Sequence, residues 1–109
     1  MSRHIRESDW KCFKKIHPMA LRRHCDETMK RLAEIASDAS DDPHDSYLKA
    51  YEYIMKRDKE VALLFNEYRR STALSQLTLM MSRRVISASD LEGLSEEALA
   101  YLVPPEEEC

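Results

Sequence analysis

Apolar and polar residues alternate along this chain with a period close to 3.6, the helical one, and nowhere with the period of two that marks a half-buried strand. Trp10, Phe13 and Ile16 recur every three residues and predict one edge of a helix over 8–16, with Ser8 as its N-cap. His17-Pro18 predicts a break, because the residue before a proline is pushed out of the helical region. Pro18 in turn suits the first position of a second helix over 18–38. Leu21, Cys25, Thr28, Met29, Leu32 and Ala36 form its stripe. Opposite charges at i, i+4 lace its other face, as in Asp26–Lys30 and Glu27–Arg31, each pair adding only about 0.2–0.5 kcal/mol.

After a polar connector at 37–42, Asp42-Pro43 reads as a cap followed by a proline at the first helical position. Tyr47, Tyr51, Ile54, Val61, Phe65 and Tyr68 then follow at spacings of 4, 3, 7, 4 and 3. No glycine or proline stands between Pro43 and Gly93. One helix over 43–86 would be about 66 Å long, against a radius of gyration near 13 Å for a compact domain of this size. One or two breaks are expected, first at Asp58 and second at Ser71-Thr72; the alternative is an unbroken rod completed by a second copy. The segment 73–81 is apolar around most of its girth, which predicts either the central helix of the fold or half of an intermolecular contact. Ser89 and Glu92 suggest a capping box, and Ser95 the start of a short helix to about Leu102. Leu91, Leu94, Leu99 and Leu102 are expected to pack back on the body. Pro104-Pro105 ends regular structure, so residues 104–109 are expected to form a mobile acidic tail beyond a single domain of 1–103.

Composition sharpens this picture. The 109 residues include one glycine, which excludes glycine-rich phosphate loops, dinucleotide fingerprints and a series of glycine-dependent hairpins. The fold class expected is all-α, a small bundle of four to five helices with a long or segmented central helix against helix 18–38.

The net charge of −3 hides bands. Residues 1–31 and 46–84 are basic, while 32–45 and 85–109 are acidic, which predicts that the bands neutralise one another within or between chains. Three scattered cysteines, Cys12, Cys25 and Cys109, do not make a disulfide framework. The first residues hold no apolar stretch fit for a signal peptide, and no apolar run approaches the ~20 residues that span a bilayer. These features predict a cytoplasmic protein with reduced thiols and no membrane partner.

Chemistry-bearing motifs are sparse. The histidines and cysteines show no CxxC, HxxxH or HExxH spacing, so no metal ligand is assigned. No ExxH pair, calcium loop or nucleophile elbow is present, so no catalytic residue and no cofactor is assigned. Arg69-Arg70 and Arg83-Arg84 lie 14 residues apart and would share one side of a continuous helix, about 21 Å apart. Arginine suits phosphate or carboxylate contact. The expected role is a non-catalytic protein-protein interaction or regulatory module, homodimeric or bound to another protein, with contact residues Arg69, Arg70, Leu77, Met80, Met81, Arg83 and Arg84. A nucleic-acid-binding regulator using the arginine pairs is the second reading. A small metal- or thiol-dependent enzyme using Cys12, Cys25 and a histidine is the third.

Overall fold

A computed structural model of the chain describes residues 5–38 and 42–102. It contains four α-helices and two short 3₁₀ turns, with no strand among the described residues. This is the all-α bundle that the periodicity requires. Helix α1 runs Glu7–Ala36, α2 Pro43–Phe65, α3 Ala73–Ser82 and α4 Glu96–Tyr101, with 3₁₀ turns at Arg70–Thr72 and Ala88–Leu91. The acidic tail expected at 104–109 lies outside the described residues.

Helices α1 and α2 pack side by side as a long hairpin, and the rest of the chain wraps its base. The result is elongated, 53 × 31 × 23 Å, with a radius of gyration of 17.0 Å. A compact domain of this length would have about 13 Å.

Two of the three expected breaks do not occur, and the one at Ser71-Thr72 does. The break at His17-Pro18 does not occur: Pro18 sits inside α1. An internal proline costs a helix about 3 kcal/mol, through a lost hydrogen bond and a clash with the carbonyl four residues back. Both flanks of Pro18 are nevertheless held on one core, through Phe13, Ile16, Ala20 and His24. Next door, His17 Nε2 lies 2.9 Å from the carbonyl oxygen of Phe65 and its ring packs on Tyr68, pinning α1 to the end of α2. Asp58 does not interrupt α2 either. It is exposed, so helical geometry leaves its carboxylate in water. The interruption falls at 66–72, and Ser71-Thr72 lies in the 3₁₀ turn that leads into α3.

The core sits at the base. Phe13, Ala20, Leu64, Ala73, Leu77 and Met80 are wholly covered. Segment 85–102 closes it from the other side with Ile86, Leu91, Leu94, Ala98 and Leu102. Leu99, expected among these, is exposed, and Ala98 takes the inward position.

Polar groups fasten this closure. Asp9, itself buried, accepts from the Ser95 backbone N–H and from the Ser95 hydroxyl, both at 2.7 Å. The Ser95 oxygen accepts from the Ala98 N–H at 3.2 Å and so caps α4. The capping pair expected at Ser89 and Glu92 is instead Ser87 and Asp90, whose carboxylate accepts from the Ser87 N–H at 2.8 Å. Gly93 allows segment 85–102 to come close to α1, since a Cβ there would lie 3.2 Å from the Cys12 sulfur.

Candidate protein interface

The outer half of the hairpin presents a different surface. At 100° per residue, Tyr47, Leu48, Tyr51, Ile54 and Met55 fall within an arc of about 120° on α2. Ala50, Tyr53 and Arg57, half-buried against α1, occupy the neighbouring arc. Tyr47 is 67% exposed, Tyr51 55% and Met55 43%. On α1, Cys25 and Met29 are exposed on the same side of the hairpin. They line, with Thr28, Ile54 and Val61, a shallow groove of about 180 Å³ between the two helices. The groove runs toward the base, where Leu64 and Phe65 are covered. The stripe Tyr47–Tyr51–Ile54–Val61–Phe65 read from the sequence therefore exists, and this chain covers only its last part.

The exposed tyrosines, methionines, leucine and isoleucine of this face present on the order of 600 Å² per chain, at the upper edge of what a monomer leaves bare. A two-helix ribbon cannot do better, because each helix has a single neighbour.

The contact residues expected from the sequence go elsewhere. Leu77 and Met80 are buried by the same chain, and Met81 is half-buried against the core. Helix α3 is apolar on most sides because α1, the end of α2 and segment 85–102 surround it, and it is the central helix of the base. Leu77 and Met80 are thus not free to meet a partner.

The arginine pairs do not share a helix, since the interruption at 66–72 destroys their register. Arg70 grips Glu7 with two nitrogens, at 2.7 and 3.4 Å, and lies over the Trp10 ring at 5.3 Å. Its hydrogen bond holds the Glu7 carboxyl below the ordinary carboxylate value. Arg69 pairs with Glu67 at 2.9 Å. The acidic C-terminal band instead meets the basic N-terminal one, through Arg23–Asp90 at 3.0 Å and Arg6–Glu97 at 3.1 Å.

Beside the groove lies a polar cluster that the sequence did not single out. Buried His24 and half-buried Glu60 approach at 3.1 Å through Nε2 and Oε1. Arg57 donates to the Thr28 hydroxyl oxygen at 2.7 Å, to the His24 carbonyl at 3.1 Å and to Glu60 at 3.3 Å. Arg23 donates to the Val85 carbonyl at 2.8 Å, and Arg83 lies 3.6 Å from the other Glu60 oxygen. Residues from α1, α2 and the end of α3 converge here, so no local spacing could have announced it. The i, i+3 pair Arg57–Glu60 was the one signal available.

The thiol reading gains little support from the geometry. Cys12 is half-buried against Gly93, and burial, aided by the Asp9 charge, pushes its thiol pKa up, away from the reactive thiolate. Cys25 lies in the hairpin groove. Among the described residues, no three His, Cys, Asp or Glu side chains stand together as a metal site. His4 and Cys109 lie outside the described residues. No described helix is long and apolar enough to cross a membrane. The chain matches no protein-family model, and no curated protein or solved structure matches it either.

Proposed function

We propose that this protein is a non-catalytic interaction module that works as a homodimer, joined through the outer half of the α1–α2 hairpin. The observation that carries the reading is the half-covered stripe: Phe65 is buried and Val61 half-buried against the core, while Tyr47 and Tyr51, on the same face, stand in solvent and Ile54 is 36% exposed. A second hairpin laid across the first would turn two ribbons into a four-helix bundle, in which every helix gains a second neighbour. About 600 Å² from each copy sums to the lower end of the 1,200–2,000 Å² typical of stable interfaces. Tyrosine and methionine suit such a contact, the first as a large rigid anchor and the second as a flexible filler. Both charge signs stand on the flanks of the hairpin, as in Asp26–Lys30 and Asp45–Lys49, so a second copy brings no excess of like charge.

Sedimentation equilibrium between 1 and 200 µM tests this. The native chain is expected to sediment as a dimer at the upper end. The double variant Tyr51→Glu, Ile54→Glu is expected to sediment as a monomer with unchanged helical circular dichroism. A monomeric native chain throughout that range would overturn the reading.

A further inference from the structure

We propose that the concavity between Arg23, Arg57, Arg83 and Arg84 binds a phosphate group. It encloses about 110 Å³. That is room for one tetrahedral oxyanion. Four guanidinium groups and two carboxylates, Glu27 and Glu60, line it, so its walls carry an excess of positive charge. Guanidinium forks match the spacing of phosphate oxygens.

The groups divide into two kinds. Arg57 and Arg23 are fixed by backbone carbonyls and carboxylates, and so form a rigid rear wall. Arg83 and Arg84 form a front that is open to further contact. The 3.6 Å approach of Arg83 to Glu60 is long beside the 2.7–2.9 Å of a strong charged hydrogen bond. Arg84 has no ion pair among the described residues.

Backbone strain points the same way. Arg84 has φ 61°, in the left-handed region where it closes α3: its N–H donates to the Met81 carbonyl and the Val85 N–H to the Met80 carbonyl. Glycine is the usual residue there, because a side chain adds only strain. An arginine at this place serves the helix end poorly and the cavity well.

Calorimetric titration of the full chain with sodium phosphate, at ionic strength held constant with sodium chloride, tests the site. One saturable equivalent per chain is expected. Arg84→Gly is expected to raise the melting temperature while weakening phosphate at least tenfold, and Arg83→Ala to weaken it comparably. A parallel titration with O-phosphoserine identifies the source: tighter binding than phosphate assigns a phosphomonoester, weaker binding the free ion, and either supports the site. Non-saturable heats at constant ionic strength, native affinity in Arg84→Gly, or a lowered melting temperature in that variant would overturn it.

Discussion

Helix α1 passes through two environments. Near its start, Phe13 and Ile16 are enclosed by α3, the end of α2 and segment 85–102; sixteen residues beyond Phe13, on the same helix, Met29 is 59% exposed. Helix α2 shows the same gradient in reverse, from Tyr47 in solvent to Leu64 wholly covered. The sequence pattern of the two halves is alike. The number of neighbouring helices differs: several at the base, one along the hairpin. An amphipathic stripe states that a face wants cover, and the topology decides whether the same chain can supply it.

Truncations at the two ends should therefore differ most. Leu77→Ala removes a fully covered side chain from the base and is expected to cost about 2–5 kcal/mol in urea denaturation, through lost transfer energy and the cavity left behind. Ile54→Ala on the hairpin is expected to cost under about 0.5 kcal/mol at micromolar concentration, as for a surface site. Its cost should grow with protein concentration if a second copy covers the face, because association adds to apparent stability by mass action. Equal costs at the two positions would erase the distinction between base and hairpin.

Next in size is the tether between α1 and α4. Asp9→Ala leaves the Ser95 N–H and hydroxyl without their acceptor in a part-buried place. The expected loss is about 1–3 kcal/mol, the penalty for an unsatisfied buried polar group. Hydrogen exchange should accelerate over 91–102 and stay unchanged over 44–58, since the hairpin does not use this bond.

Much of this division can be read in the sequence, and its failures have physical causes. The helical fold, the start of α2 at Pro43, the start of α4 after Ser95 and the buried character of 73–81 follow from periodicity and residue type, which act locally. At Pro18 local geometry argues for a break, while the core on either side, invisible in the local sequence, holds the helix together. Arg69-Arg70 and Arg83-Arg84 share a side only on a continuous helix, and the break expected at Ser71-Thr72 falls between them. The actual turn at 66–72 holds no glycine or proline, and its start is fixed by His17 of α1, which meets the Phe65 carbonyl and the Tyr68 ring. The cluster around His24 was illegible, because its members come from three segments. The interface was assigned to the most apolar stretch, 73–81, yet the most apolar stretch is the one the chain itself covers first. The face left open is the mixed one on α2.

Scarcity of glycine leaves its own mark at the end of α3. Arg84→Gly is expected to stabilise the base by about 1 kcal/mol, since a left-handed residue with a Cβ costs roughly 1–2 kcal/mol and glycine relieves most of it. The gain should appear in denaturant midpoint with unchanged slope, and the Val85–Met80 contact that accompanies this helix ending should persist. No change at all would mean that the left-handed backbone at this position costs the arginine nothing that glycine relieves.

The smallest effect concerns pH and again separates the two regions. Arg23 holds Asp90 in segment 85–102, and its hydrogen bond keeps the Asp90 carboxyl below the ordinary value; the Arg23 pKa is raised by the same contact, so both partners agree in direction. A carboxylate whose pKa is lower folded than unfolded adds stability that is complete above the unfolded value, about 3.9, and is lost as pH falls through the lower folded value. Arg23 is half-exposed, which limits the contribution to the 0.2–1 kcal/mol of a solvated pair. Asp90→Asn is therefore expected to be slightly less stable than the native chain at pH 7 and equal to it at pH 2, with the difference closing below pH 4. Glu60 beside His24 and Glu27 beside Arg57 join the two hairpin helices, so the Asp90 contact is read over 85–102 alone, where hydrogen exchange is expected to be faster in Asp90→Asn than in the native chain at pH 7 and equal to it at pH 2. Faster exchange in the variant confined to α2 would place the Arg23–Asp90 contact outside the closure of the base.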